Sequence, residues 1–512
     1  MKKIYVCMAC CVLLFAACSK KNDTVQNNTG NTTTNPTNPT DTTPKIPAGT
    51  QYLGVTMGYN NTARMGGLPN PSVSGNFLYN LPLYKAGGTE ADWWDDMVEE
   101  LEYSGVDYVA PVDRGYAPNS PNVDAGDPRK LVNLVAAMDR RGSNFKIAIF
   151  DDVPASWTAS RNIDNGQGYG YDPKFDCSNT ANYKYIWDYN IKVAFTSVPD
   201  ARRFKILNRP VIIFWAAQPD WLVNYGNGNL KKILQYVRSQ CQATFGFNPY
   251  IIVDASWTKN DSACYDPAVI DAIHNWFTMA NPYTLFYFND VRVGALCPGF
   301  RVVQGSTNMF IDANHGQQLI AGLNATKGSG AALTLVEGFT DAPENAALFR
   351  SKDATYYDYP NQRINILRRY SANPYPATLR VEAEACDSYN DLTTGNSGNT
   401  YRDGDIDVIK TTDTGGGWNV TDAQAGEWME WKELPLTANT KFQIRYSATQ
   451  ASSVSFSVDG VALPAVNLPA TGGTFATVDA GSQTLPANGL HTVRLTVVSG
   501  NIDINYFNRA SF

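Results

Sequence analysis

The chain has 512 residues, 43% hydrophobic and 17% charged, a globular composition too long for one ordinary domain. Its 41 basic and 48 acidic side chains give a formal net charge of -7. That balance excludes nucleic acid as an expected partner, because nucleic-acid binding is dominated by neutralising phosphates.

The first segment reads as a secretion signal. Lys2 and Lys3 precede an apolar run, Ile4 to Ala17, which is too short to span a bilayer comfortably. The run ends Leu14-Phe15-Ala16-Ala17-Cys18. Small residues before a cysteine resemble the bacterial lipobox, with Phe15 where leucine is usual. The resemblance implies cleavage at Cys18 and its lipidation, hence attachment to the bacterial cell envelope at the outer membrane, on either face. The other reading is an ordinary cleaved signal. No later segment is apolar enough to read as a membrane span, so membrane contact is expected through the lipid alone.

Residues 19–47 are rich in Asn, Thr and Pro and cannot bury enough surface to fold, so they read as a disordered tether. Five cysteines lie beyond the lipidation site, at Cys177, Cys241, Cys264, Cys297 and Cys386. Their wide spacing gives neither a disulfide scaffold nor a zinc site. One or two disulfides and buried free thiols both remain open.

From residue 48 to 373, short apolar runs alternate with amphipathic helices. Strands are expected at 52–57, 108–112, 145–150, 211–215, 250–253 and 332–337, with weaker ones near 275–277 and 300–303. Helices are expected at 89–104 (N-capped by Thr89), 127–141 (Pro128 in its first turn), 182–195, 230–245 and 317–324. This alternation predicts an α/β domain, a (β/α)8 TIM-type barrel, with an open doubly wound sheet as the alternative. No GxGxxG or GxxxxGK[ST] loop follows any strand, which weakens the nucleotide-binding versions of that alternative. Asn373-Pro374-Tyr375-Pro376 breaks the pattern, and short alternating runs over 377–512 predict an all-β jelly-roll sandwich.

Barrel enzymes draw their chemistry from the C-terminal ends of strands. Those ends carry Asp113 and Arg114, Asp151 and Asp152, Trp215, Asp254, and Glu337 with Asp341 and Glu344 in the following loop. Convergent carboxylates are what glycoside hydrolysis needs: one acid protonates the leaving oxygen and a second serves as base or nucleophile. The candidate catalytic acids are Glu337, Asp341, Glu344, Asp152 and Asp254. An aspartate after a strand also commonly caps the next helix. Glu337 stands apart as the last residue of an otherwise apolar strand. Trp157, Trp215, Trp257 and Tyr283, with His274 and Arg114, are the candidate substrate-binding groups. The bland reading of a lone histidine is a satisfied structural residue. No GxSxG elbow supports a serine nucleophile.

Two resemblances to known families extend this reading. Over 379–512 the chain resembles family 6 carbohydrate-binding modules. The matching landmarks are Glu382 and Glu384, Arg402-Asp403-Gly404-Asp405, Gly417-Trp418-Asn419-Val420, Gly426-Glu427-Trp428 and Asn501-Ile502-Asp503-Ile504-Asn505-Tyr506. The resemblance implies a structural Ca2+ held by Glu382, Glu384 and Asp503, all hard oxygen donors. The family's sugar-stacking aromatics are replaced by Thr421-Asp422 and by Thr474, with Phe475 adjacent.

The barrel segment resembles glycoside hydrolase families 99 and 71. Asn208-Arg209-Pro210-Val211-Ile212-Ile213-Phe214-Trp215 resembles their "GKP-apolar-Y/W" strand. Ala272-Ile273-His274-Asn275-Trp276-Phe277, Cys297-Pro298-Gly299-Phe300 and Leu333-Thr334-Leu335-Val336-Glu337-Gly338-Phe339 sit where those families carry further motifs. Family 99 places two acids three residues apart in the last segment, but here Thr340 occupies the second place. Family 99 enzymes cleave internal α-mannosidic bonds without a cofactor, so none is expected for catalysis. Together with Tyr359-Pro360-Asn361-Gln362, the chain also resembles secreted proteins of domain-of-unknown-function family 5010. The expectation is a lipid-anchored, monomeric glycoside hydrolase acting on a polysaccharide or oligosaccharide; the alternative is a non-catalytic surface glycan-binding lipoprotein.

Overall fold

The computed structural model describes residues 44–59, 80–84, 89–116, 126–152, 155–157, 174–304, 307–374, 376–398 and 400–511. Cys18 and residues 19–43 of the expected tether lie outside them. Among the described residues, no helix is long and apolar enough to cross a membrane.

The first domain is built on strands β1 (Tyr52–Met57), β2 (Tyr108–Asp113), β3 (Ile149–Asp151), β4 (Arg209–Phe214), β5 (Tyr250–Asp254), β6 (Ala272–His274), β7 (Tyr283–Phe288), β8 (Val291–Leu296) and β9 (Leu333–Val336). Eight of them run parallel in the order β6-β5-β4-β3-β2-β1-β9-β8, and β7 adds to β8 as an antiparallel hairpin arm. β6 packs beside β8 without a shared ladder, so the sheet curls into a nearly closed barrel. The expected α/β barrel is therefore observed, with two local corrections. The strand expected near 275–277 is β6, three residues earlier. The strand expected near 300–303, Phe300–Gln304, pairs instead with Thr307–Ile311 in a separate hairpin. The eighth barrel strand is β8, whose glycine and arginine dilute the apolar run that would have announced it.

Alternation along the strands sorts side chains into two layers. Tyr108, Ala110, Phe150, Val211, Ile213, Tyr250, Ile252, Val293, Leu333 and Leu335 fill the barrel interior. Their alternates, such as Val55, Val109, Ile149, Ile212, Val253 and Val336, pack against the outer helices. Gly54 is required inside the barrel, because a Cβ there would lie 2.1 Å from Cζ of Tyr108. The Tyr108 ring stacks on Phe204 at 4.2 Å.

The outer layer contains α1 (Glu90–Ser104), α2 (Leu131–Arg141), α3 (Asn229–Phe245), α4 (Gln317–Ala325) and α5 (Gln362–Tyr370). α1 begins as its sequence dictates: Thr89 accepts from the Asp92 amide while Asp92 accepts from the Thr89 amide, and Gly105 ends it in the left-handed region. A helical stretch over 183–197 contains a π-helical turn, Trp187–Ile191. The five cysteines are buried and free.

The second domain is an antiparallel sandwich. Its longer strands are β10 (Thr378–Glu382), β11 (Trp418–Gln424), β12 (Trp428–Leu436), β13 (Asn439–Ser447), β14 (Ser452–Val458), β15 (Ala476–Thr484), β16 (Gly489–Ser499) and β17 (Asn501–Ser511). One sheet centres on β11-β17-β13-β15, with β10 also paired to β17. The other centres on β12-β16-β14. Phe442, Phe456, Phe507 and Trp431 interlock between the sheets.

The sandwich is docked on the barrel's outer helices. Tyr84 stacks on Tyr401 at 5.6 Å, Lys410 pairs with Asp92 at 2.7 Å, and Asp387 accepts from the Asn361 amide at the start of α5.

Candidate active site

Register carries the two-layer rule up to the barrel mouth. Beyond the Asp113–Asp151 pair, Arg114 comes beside Asp152; beyond Phe214–Val253, Trp215 comes beside Asp254; and Asp254 pairs with His274. On the other side of the mouth, the Leu296–Val336 pair places Cys297 beside Glu337. These residues continue the inward-facing alternates, so the last layer of the barrel is a polar ring.

Glu337 is the centre of this ring. Its Oε2 accepts from the Thr56 hydroxyl at 3.1 Å, and the same hydroxyl accepts from the Gly338 amide at 2.8 Å. Gly338 adopts φ +78°, which lets the chain turn immediately after Glu337. The turn returns Asp341 and Glu344 to the same place: carboxylate oxygens of Glu337, Asp341 and Glu344 all lie within 4.8 Å of one another. Burial, then Asp341 beside it, pushes the Glu337 carboxyl up to about 8, against the pull of Arg114. Burial also raises Asp341, while the Glu344 amide and side chain bonded to it pull the other way. Thr340 is committed to the Gly58 carbonyl. Burial, with a smaller push from all three carboxylates, raises the Cys297 thiol, which donates to the Gly299 carbonyl at 3.0 Å.

Beside this group, Arg114 Nε meets Asp152 Oδ2 at 2.7 Å. Both Asp152 and Arg114 act electrostatically on Glu337. Asp113 and Asp151, one residue earlier on each strand, point away into the helix layer. There Asp113 accepts from the Tyr59 hydroxyl, and Asp151 accepts from Asn190 on the π-helical turn. Burial raises both carboxyls well above the usual range.

Of the expected groups, Glu337, Asp341, Glu344, Asp152 and Arg114 come together. Asp254 lies in the ring, but both its oxygens are engaged, by the Ser256 amide at 2.9 Å and the Trp276 amide at 3.0 Å. The first contact caps the short helix Ala255–Asn260, and the second holds the chain leaving β6. His274 is fully buried, its Nε2 lies 3.0 Å from the Phe214 carbonyl, and burial lowers its pKa. Its surroundings are those of a neutral structural histidine.

The expected platforms divide by exposure. Trp257 is enclosed and donates to the Trp215 carbonyl at 2.6 Å, and Trp157 is enclosed against Phe175. Neither offers a face to a sugar. Trp215 is half-buried beside Trp221, at 5.4 Å. Tyr283 is 40% exposed, on β7. Thr56 and Cys297 were missed in the sequence. Counting alternate residues along β1 finds Thr56, but finding Cys297 requires recognising β8.

Among the described residues, the three clustered carboxylates are the one His/Cys/Asp/Glu group close enough to share a metal ion, and their oxygens suit a hard cation. The calcium set expected in the sandwich fits in part. Glu382 and Glu384 are buried together, and Glu384 Oε2 has no hydrogen-bond partner. Burial lifts Glu382 to about 7 and Glu384 well above the usual range. A buried carboxylate oxygen without a partner, as on Glu384, is what a cation relieves. Asp503 does not complete the set. Its Oδ1 accepts from the Thr421 hydroxyl at 2.6 Å and from the Asp422 amide, and Arg380 already meets Glu382 at 2.5 Å.

Comparison with known proteins gives two family matches. Residues 402–509 match a carbohydrate-binding module of family 35, while the similar solved structures include family 6 modules, so the expected resemblance to a carbohydrate-binding module stands. Similar solved structures include the C-terminal family 6 module of a marine laminarinase from Zobellia galactanivorans, at 22% identity over 26% of this chain and 99% of that one, with a TM-score of 0.21. Another is a family 6 module of lichenase 5A from Cellvibrio mixtus in complex with cellotriose, at 22% identity over 26% and 97%, with a TM-score of 0.22. A third is a family 43 arabinoxylan arabinofuranohydrolase from Bacillus subtilis, at 23% identity over 26% and 27%, with a TM-score of 0.21. No curated protein matches. Residues 49–388, more than half of the chain, match the family described as Domain of unknown function (DUF5010), and the protein belongs to that family.

Proposed function

We propose that the barrel mouth hydrolyses glycosidic bonds in a polysaccharide or oligosaccharide, and that the chain is held to the bacterial envelope by lipid on Cys18. The observation that carries the hydrolase reading is the convergence of Glu337, Asp341 and Glu344 within 4.8 Å, beside the Arg114–Asp152 pair. With its carboxyl raised to about 8, Glu337 holds a proton at neutral pH. It is therefore the general acid, delivering that proton to the leaving oxygen as the glycosidic bond breaks. Asp152 is the second carboxylate, and the Arg114 guanidinium at 2.7 Å balances its charge between turnovers. The carbohydrate-binding module supports a glycan substrate. The family 99 resemblance makes an internal α-mannosidic bond the first to try.

The test is a polysaccharide panel, α-mannan included, with product analysis for the parent chain and Glu337→Gln. The substitution is expected to lower oligosaccharide release by about 10²–10⁴-fold while leaving the circular dichroism unchanged. Equal turnover in both proteins would refute the role of Glu337. The module match also supports a second reading, a non-catalytic glycan-binding lipoprotein. That reading predicts retention of the parent chain in affinity electrophoresis with no product from any polysaccharide.

A further inference from the structure

We infer that the outer face of β7 is a second membrane contact, resting on a lipid bilayer. α4 covers the outer face of β8: a Cβ on Gly322 would lie 3.0 Å from Leu296, and Thr326 fills the space over Gly294. Tyr283, Leu285 and Tyr287 are paired with Leu296, Gly294 and Arg292, so they share that face. The helix leaves them 40%, 42% and 59% exposed. Tyr265, 57% exposed, packs edge-on against Phe288 on the same strand. No other described strand presents such a run of exposed large apolar side chains at alternate positions.

The entry point of the chain identifies the occupant. Lys45, at the start of the described residues, pairs with Asp290 at 2.6 Å in the β7–β8 turn, and the Tyr287 hydroxyl donates to the same aspartate at 2.9 Å. The N-terminal segment therefore joins the fold at the foot of this face. That end of the barrel is opposite the Glu337 mouth, because β8 starts there and runs parallel to β9. Lys45 lies 27 residues after Cys18, and a flexible chain of that length reaches about 30 Å, at roughly 5–6 Å times the square root of the residue number. A chain anchored at Cys18 keeps this flank close to the bilayer. Tyrosine and leucine are side chains that settle at the headgroup boundary. The protein carries net charge -7, so the contact needs apolar burial rather than anionic lipid. A glycan strand or a second copy of the chain are the competing occupants.

The inference rests on the anchored reading, and the experiment separates the two. Full-length lipidated chain is floated with phosphatidylcholine vesicles, and hydroxyl-radical oxidation of Tyr283, Leu285 and Tyr287 is measured against Leu392, which is 63% exposed on the sandwich. The Cys18→Ser chain in vesicle-free buffer, with and without soluble α-mannan, provides the reference. The expected result is flotation with oxidation of the three residues reduced about threefold or more relative to Leu392. Flotation with unchanged oxidation overturns the membrane contact and spares the anchor; absence of flotation overturns both. Protection of the Cys18→Ser chain by α-mannan, or by raising protein concentration alone, assigns the face to a competing occupant and overturns the inference.

Discussion

Replacing Glu337 by glutamine tests the perturbed acid without knowledge of the substrate. The carboxyl stands at about 8 in the folded chain, against an ordinary 4.5. Between those values the native state keeps a proton that the unfolded chain has released, so stability falls as pH rises. The contribution is fully present below about pH 4.5, declines through the window and is lost above about 8. Each unit is worth about 1.36 kcal/mol, so the ceiling is near 5 kcal/mol; relaxation around a half-buried side chain reduces this to about 2–3 kcal/mol. Glutamine has nearly the same shape, can still accept from the Thr56 hydroxyl, and does not titrate. Urea unfolding of both proteins, followed by tryptophan fluorescence between about pH 5 and 9, gives the difference in stability. The parent should lose stability relative to Glu337→Gln across this range, with the difference levelling off above about pH 8. A difference that stays constant with pH would refute the claim that Glu337 holds its proton at neutrality, and the general-acid role with it.

Asp254→Ala should act on stability rather than chemistry. It removes the cap from the Ser256 amide and the partner of the Trp276 amide, at a cost of about 1–2 kcal/mol in urea unfolding. Glycan hydrolysis should stay within about tenfold of the parent, and a loss as deep as that of Glu337→Gln would return Asp254 to the catalytic set. For the sandwich, calcium added after chelation should raise the unfolding temperature, and Glu384→Gln should abolish the rise, because Glu384 carries the orphaned buried oxygen. An unfolding temperature indifferent to both calcium and chelator would remove the metal.

The fold was legible where period and chemistry agreed. β1 was readable from its apolar run, and α1 from its Thr89 N-cap and helical spacing of apolar residues. β7, β8 and α5 were not. Tyr283-Thr284-Leu285-Phe286-Tyr287-Phe288 is apolar on both faces, so it lacks the alternation that announces a half-buried strand. α5 carries Arg363, Asn365 and Arg368, polar residues that read as a solvent face but are buried, Arg363 against Asp353, Arg368 beside Gly105 and Asn365 against Lys432 of the sandwich. The acids of the mouth were legible because they follow strands, but their division into functional and structural members was not. Trp157 and Trp257 misled in the same way: a loop tryptophan is a platform only if the fold leaves a face open.

One rule resolves most of those ambiguities, and it needs only the register. Asp113 with Arg114, and Asp151 with Asp152, are neighbours of similar polarity, yet a strand's period of two sends one of each pair outward and one inward. Phe150 lies in the barrel interior, so Asp152 faces the mouth and Asp151 faces the helices; Tyr108 and Ala110 fix Arg114 in the same way. The outward aspartates then need partners in the helix layer. Tyr59 supplies one, and the π-helical turn brings Asn190 to the other, its Nδ2 also reaching the Asp113 carbonyl at 3.2 Å. This second tier fixes the ends of β2 and β3, and with them the Arg114–Asp152 pair facing Glu337. The site is thus set from behind by two buried, hydrogen-bonded carboxyls, and from the front by a turn that Gly338 permits.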